Sequence, residues 1–345
     1  MNTLNAFAHI GQRLVVGILL TASIVGVLCG QSKTGTAVGA FLLIEPSARL
    51  SAMGNAGAAM YDEVLAGYYN PGAYGRLDRS DIQLMYSTWI AGISYNHAAV
   101  AVTTGSTGAL ALAITSLSSG EIAVRTVQQP LGTGEQYSVT NTAIGLGYGH
   151  RLTERFSAGI QVNYIRETIW HSSLSAFAVN FGTLYQVSED GLHIGASLSN
   201  FGTRAKYSGT DMRIRFDNDA SVHGDNSNLP GEVYLEEFGL PIVFRVGLAY
   251  PLQIDEDNKL QLAIVAFHPS NNTESISVGG EWKFLNIVAL RAGYQHLFRK
   301  DSEVGLTLGG GLEYEFFEIP VRVDYAWAAH GLLKDTQRLA VGFRF

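Results

Sequence analysis

The sequence predicts an all-β fold, a transmembrane antiparallel β-barrel of about fourteen strands with an N-terminal hatch or plug segment inside it. Three observations point there. First, long stretches alternate with period two: Phe156, Ala158, Ile160, Val162 and Tyr164 oppose Ser157, Gly159, Gln161 and Asn163, the side-chain pattern of a strand with unlike faces. Second, charged residues make up only 15% of 345 residues while Gly (39), Tyr (16) and Phe (16) are abundant, and after the first thirty residues no apolar run reaches the ~18 residues that a membrane helix needs. Third, the connections between the expected strands alternate between short and long, as the two ends of an outer-membrane barrel do.

The chain opens with Arg13 followed by an apolar run from Leu14 to Leu28, a charged region and a hydrophobic region in the order of a secretory signal peptide. Residues 1–30 are expected to be removed near Gly30–Gln31. A lipid-bearing Cys29 is the alternative, disfavoured by the bulk of Leu28 before it. Cys29 is the one cysteine, so no intrachain disulfide can form. With a formal charge of −7 and 23 basic residues, a nucleic-acid partner is excluded on electrostatic grounds.

Residues 31–80 are expected to form the hatch. Pro46 to Met60 is rich in small residues; Pro46 is placed to open a short helix, and Gly54 and Gly57 to weaken it. Tyr68-Tyr69-Asn70-Pro71-Gly72 reads as a turn. A soluble protein would use these as an ordinary helix and turn, a barrel as a plug. The succession Ile44-Glu45-Pro46-Ser47-Ala48-Arg49, Ala52-Met53-Gly54-Asn55-Ala56 and Tyr69-Asn70-Pro71-Gly72 resembles the N-terminal signature of the PorV/PorQ family, itself similar to the FadL-type channels. Asn55 stands where a second Gly is common, and Gly72 follows Pro71 where Ala is usual. The resemblance marks Pro46, Ala48, Arg49, Met53, Gly54, Asn70, Pro71 and Gly72 as the hatch motif. It extends weakly through Asn180–Tyr185, Ser199–Gly202, Leu240–Gly247, Leu290–Tyr294 and Val323–Tyr325.

Strands are expected near 81–88, 91–103, 107–118, 136–150, 155–168, 172–186, 191–200, 242–250, 258–267, 274–283, 286–298, 303–317, 319–330 and 337–345. At ~3.3 Å per residue, most are long enough to cross a bilayer at the tilt of a barrel. Pro320 falls at a strand start, where a missing N–H is tolerated. The longest connections, 119–135 and 201–241, both follow odd-numbered strands, which puts the start of the barrel on the periplasmic side. The turn near Trp89-Ile90 is short for an outer loop. The last strand alternates Leu339, Val341, Phe343 and Phe345 against Arg338, Ala340, Gly342 and Arg344. It is expected to pair antiparallel with Asp81–Ser87 and close the wall, with Phe343 and Phe345 as the C-terminal barrel signal. A soluble sandwich also alternates, but rarely sustains such long strands with so few charges.

No catalytic constellation emerges. His171-Ser172-Ser173 and His193 are present, yet nothing fixes a nucleophile, base and orienting partner, so the chain is not expected to be an enzyme. Asp217, Asp219 and Asp225 lie in the long loop with Asn218, Asn226 and Asn228, but the glycine of a calcium loop is missing, and no His/Cys cluster suits zinc. No cofactor or metal is expected. Gly309-Gly310-Gly311 inside a strand reads as a tight bend or as room for the hatch. Arg291, Glu313, Glu315, Arg322 and Asp324 are assigned to the lumen, because an arginine on the lipid face at mid-depth costs ~2–4 kcal/mol; there they could pair with Arg49. Arg204, Lys206, Arg213, Arg215, Asp217 and Asp219 form a split-charge surface on the 201–241 loop.

The PorV/PorQ resemblance implies a binding role in type IX-like protein secretion and surface attachment, with the secretion translocon and exported cargo proteins as partners besides outer-membrane lipid. The alternative, from similarity to the FadL type, is a channel for hydrophobic small molecules. That reading expects an apolar pocket beside the hatch and a lateral gap in the wall. A structural membrane protein without transport is a third reading. The expected location is the outer membrane of a Gram-negative-type bacterium.

Overall fold

The computed structural model describes residues 34–105, 107–188, 191–217, 219, 221, 228–299, 302–317 and 319–345. The expected signal peptide, Cys29, and Asn218, Asp225 and Asn226 of the long loop lie outside the described residues.

Fourteen strands close into one antiparallel barrel: β1 (Asp81–Thr88), β2 (Ser94–Thr103), β3 (Gly108–Ser118), β4 (Val139–Arg151), β5 (Phe156–Ile169), β6 (Ser172–Gln186), β7 (His193–Gly202), β8 (Val243–Gln253), β9 (Asn258–Pro269), β10 (Ser275–Phe284), β11 (Val288–Leu297), β12 (Leu306–Phe316), β13 (Ile319–Ala328) and β14 (Thr336–Arg344). Each pairs with its chain neighbour. β14 pairs with β1 in the register Asp81↔Arg344 to Thr88↔Gln337, so the wall has no free edge. Closure removes the unpaired backbone groups that lipid cannot hydrogen-bond. Gln136–Tyr137, expected at the start of β4, instead pairs with Ile122–Ala123 in a small hairpin of the 119–138 loop.

Alternation sorts the two faces. Leu84, Tyr86, Leu110, Leu112, Leu146, Val162, Phe177, Leu290 and Leu339 are exposed on the outside, whereas Gln83, His97, Gln161, Asn163, Glu281, Arg291 and Asp324 are buried inside. An apolar exterior around a polar, filled interior is the inverse of a soluble sandwich and suits a bilayer.

The even-numbered strands end in the short turns 104–107, 152–155, 187–192, 254–257, 285–287 and 317–318, and the long loops 119–138 and 203–242 cap the other end. β1 starts at the short-turn end, as expected. The segment before it does not: Ala37 bridges to Gly239 of the 203–242 loop and Gly39 N–H donates to Glu167 Oε1 at 3.1 Å, so residues 37–45 lie at the long-loop end. From there the chain descends through the lumen to Leu77 before turning into β1. The inner segment carries α1 (Ala48–Ala52), α2 (Ala66–Tyr69) and a 3-10 stretch at Pro71–Arg76. Ser47, not Pro46, caps α1, accepting from Leu50 N–H at 3.0 Å, which satisfies one of the orphan donors of the first turn.

Candidate functional site

The inner segment sits on glycines of the wall. A Cβ on Gly279 would collide with the Met53 carbonyl, one on Gly293 with Gly54 N, one on Gly195 with the Ala58 carbonyl and one on Gly159 with the Pro71 carbonyl. Each of these glycines faces inward, so the alternation places a bare backbone at these four contacts. Of the central triplet, Gly309 faces Ala52 and Gly311 faces Arg291 and Asp324, while Gly310 faces outward. Hydrogen bonds fix the contact. Asn70 Nδ2 donates to the carbonyls of Ala58 (2.7 Å) and Thr183 (2.9 Å), and its Oδ1 accepts from Gly72 N–H (3.0 Å). Ser157 Oγ donates to the Gly72 carbonyl, Ser197 Oγ to that of Tyr69 and Thr307 Oγ1 to that of Ala52. Pro46, Ala48, Met53, Pro71 and Gly72 are buried in this interface. Gly54 (φ 68°) and Asn55 (φ 59°) both take the left-handed conformation. Asn is among the few side chains that visit it readily, which accounts for Asn55 where a second Gly is common; its Oδ1 also accepts from Tyr69 OH at 3.1 Å.

Across the short-turn half of the lumen runs a continuous chain of charge. Arg49 contacts Asp62 (2.5 Å) and grips Glu281 with two nitrogens (2.7 and 2.8 Å). Arg291 joins Glu281 (2.6 Å) to Asp324 (2.7 Å). Arg322 joins Asp324 (2.9 Å) to Glu63 (2.7 Å), which also accepts from Ser47 Oγ (2.7 Å). The chain begins and ends on adjacent residues of the inner segment, Asp62 and Glu63, and in between is carried by Arg49 of α1 and by β10, β11 and β13. Breaking one buried pair of this kind costs about 3–5 kcal/mol, because it leaves a charge uncompensated in low dielectric.

Three of the five expected lumen charges, Arg291, Arg322 and Asp324, therefore share one chain of ion pairs with Arg49, joined to it through Glu281. The other two do not. Glu313 is at the short-turn rim, 3.7 Å from Lys283 and 3.5 Å from Arg344. Glu315 is exposed beyond it, beside the 317–318 turn, and joins no ion pair among the described residues; the lumen has already ended at that level. Asp62, Glu63 and Glu281 escaped the sequence reading. The signal was available: Trp282 points outward, so its neighbour Glu281 had to point inward, and Asp62-Glu63 is a conspicuous pair in a charge-poor segment.

The long-loop half is looser. Arg245 of β8 contacts Glu45 at 2.9 Å. Beside Ile44 and Glu45 lies a cavity of about 310 Å³ whose walls include Trp89, Val265, Phe267, Leu333 and Arg338. A second cavity, about 580 Å³, lies at the short-turn end, where charged groups (Asp62, Lys259, Lys283) mix with apolar ones (Met60, Leu252, Leu260). The wall beside the first cavity is closed, although the β10–β11 ladder shifts register between Ile276 and Val278 and the β6–β7 ladder between Val179 and Phe181. The lateral gap expected of a channel is thus replaced, in this conformation, by a bulge.

The 203–242 loop folds back on itself. Arg204 donates to the Glu237 carbonyl (2.6 and 3.2 Å), Lys206 lies 5.5 Å from the Tyr234 ring centroid, and Asp217 Oδ1 accepts from Asp219 N–H at 3.1 Å. Asp219 accepts in turn from Ser221. Arg213 and Arg215 stay exposed on a hairpin of Arg213–Phe216 with Leu229–Glu232. No group of three or more metal-ligating side chains occurs among the described residues. His171, Ser172 and Asp211 do converge, but Asp211 accepts from both His171 Nδ1 (3.1 Å) and Ser172 Oγ (3.0 Å). The serine is thus bonded to the carboxylate, an arrangement that orients no base toward it. Phe343 and Phe345 are exposed on the outer face, as expected, and Phe345 N–H donates to the Ser80 carbonyl at 2.9 Å.

No protein-family model matches the chain, and no curated protein sequence does. Solved structures do share its fold. The Pseudomonas putida toluene transporter TodX superposes with a TM-score of 0.57 at 14% identity, over 87% of this chain and 98% of that one. The Ralstonia pickettii toluene transporter TbuX gives 0.53 at 13%, over 88% and 98%. The monoaromatic hydrocarbon channel CymD gives 0.53 at 13%, over 88% and 97%. What is shared with these proteins is the barrel fold; nothing in the comparisons singles out PorV/PorQ or type IX secretion. With its closed wall and apolar exterior, the chain is an outer-membrane β-barrel.

Proposed function

We propose that the chain is an outer-membrane channel for hydrophobic small molecules, with residues 34–80 as the hatch that gates it. The observation that carries this reading is the mostly apolar cavity between the inner segment and the wall, on a barrel folded like the toluene and monoaromatic hydrocarbon channels. A site of this size, lined by aromatic and aliphatic groups with a few polar ones, suits a small ligand. The closed wall and the seated inner segment correspond to a resting state. Passage requires the ladder to part at the bulge beside Ser277 or the segment 37–45 to move. The long-loop end faces outward in this reading and the short-turn end faces the periplasm.

The partner reading, in which Arg204, Lys206, Arg213, Arg215, Asp217 and Asp219 dock a translocon or cargo, rests on the hatch-motif resemblance and on loop charge alone. The loop spends part of that charge on itself, and the comparisons lend it no support. The test is uptake: cells of a strain lacking other hydrocarbon channels should take up radiolabelled toluene faster when they make this barrel. Equal rates with and without it would refute the channel reading.

A further inference from the structure

Arg338 departs from the pattern of the other lumen arginines. Arg49, Arg245, Arg291 and Arg322 each touch a carboxylate. Arg338, on the inner face of β14, is 3% exposed, joins no ion pair among the described residues, and has no hydrogen-bond partner for Nε or Nη1. Its guanidinium carbon lies 5.1 Å from the Trp89 ring centroid, a cation–π contact that orients it. Glu45, on the same cavity, is already held by Arg245 at 2.9 Å. A buried guanidinium with free donors is costly unless something satisfies them.

Arg338 lines the 310 Å³ cavity. Three other polar groups there have partners: His330 Nε2 bonds Thr336 Oγ1 (2.9 Å), His296 Nδ1 bonds Ser275 Oγ (2.8 Å) and Glu303 Oε2 accepts from Leu332 N–H (3.0 Å). Half-buried Arg299 adds a second positive charge from the loop side. Ile44, Val265, Phe267 and Leu333 leave the remainder apolar.

The geometry points to a small apolar carboxylate, of monoaromatic size, as the ligand of this cavity, with its carboxylate on Arg338 and its hydrocarbon body against Phe267 and Val265. This rests on the channel reading and adds to it a preference for acids over neutral hydrocarbons. At about 30 Å³ per water in the liquid, the cavity holds the space of about ten waters, which fits a benzoate-sized molecule and excludes a long extended chain. An N–H of the guanidinium donating to a carboxylate oxygen is a charge-assisted hydrogen bond, about twice as strong as a neutral one.

The test is calorimetric titration of the full barrel in detergent with benzoate, with its near-isostere toluene, and with acetate. Benzoate should bind at least about ten-fold more tightly than either of the others, since toluene lacks the anion and acetate the ring. Arg338→Met should lose the benzoate preference and bind toluene at least as well. The wild-type ratio is decisive by itself if that variant does not fold. Toluene binding as tightly as benzoate would overturn the acid assignment and leave the channel reading standing. Acetate matching benzoate would reduce the site to a bare anion site and overturn it as well. Failure of both benzoate and toluene to bind would refute both readings.

Discussion

At the short-turn end of the lumen, seven side chains from Asp62 to Glu63 form an unbroken run of arginine–carboxylate pairs, and the backbone of the inner segment lies directly on wall glycines. At the long-loop end, the same inner segment is held by the Glu45–Arg245 pair, by Gly39 N–H donating to Glu167, by Tyr68 and Tyr95 hydroxyls donating to the carbonyls of Leu42 and Ile44, and by a bridge to the 203–242 loop. A cavity separates it from the wall there. Both halves keep space, about 580 Å³ at the short-turn end and about 310 Å³ at the long-loop end, but only the short-turn half is tied by an unbroken run of charge. The difference teaches where a gate can move: residues 37–45 can shift at the cost of a few bonds, whereas 47–76 would have to break a buried network.

The largest expected effect comes from cutting that network. Arg291→Leu leaves Glu281 and Asp324 each short of a partner and should destabilise the barrel by about 3–5 kcal/mol, measured by urea unfolding in detergent with gel mobility of the unheated barrel as readout. A loss below about 1 kcal/mol would mean that the lumen is wet enough to screen the charges, and the contrast between the halves would dissolve. A smaller effect is expected from the seat. Gly279→Ala drives a Cβ into the Met53 carbonyl and should cost about 1–3 kcal/mol and loosen the inner segment, seen as faster proteolysis within 47–60. The neighbouring Gly280→Ala points outward, where the nearest atom is Leu262 Cδ2 at 3.3 Å, and should stay within about 0.5 kcal/mol. Equal costs at the two positions would contradict the inward seat.

Much of this was legible in the sequence because a barrel writes its faces in a period of two. The strands around Phe156–Ile169 and Ile319–Ala328 fall where alternation put them, and the β1–β14 closure is the one that Leu339, Val341 and Phe343 predicted. Pairing inside the lumen was legible only in part. Arg49, Arg291, Arg322 and Asp324 could be assigned inward one at a time. Which carboxylate each arginine meets depends on the relative height of strands β10, β11 and β13 and on the path of the inner segment, and neither is written in local periodicity. That path also placed residues 37–45 at the opposite end from the start of β1, because a segment of this length can cross the lumen before the wall begins. Arg338 looked like any rim arginine, since a missing partner cannot be seen in a sequence.

The smallest effect is expected outside the lumen. Replacing Arg213 and Arg215 by Gln removes exposed charge from the loop hairpin and should change barrel stability by less than about 0.5 kcal/mol and leave toluene uptake unchanged. A fall in uptake would move the functional surface from the cavity to the loop.

The central claim is that ligand passes through the long-loop cavity. Ser277, buried on the inner face of β10, lines that cavity beside the bulge, and Ser277→Trp would fill it without touching the charge network. Uptake of radiolabelled toluene by cells making Ser277→Trp should drop to the rate of cells without the barrel, while the unheated variant still migrates as a folded barrel. Uptake equal to that of the wild type, with the variant folded, would contradict the account.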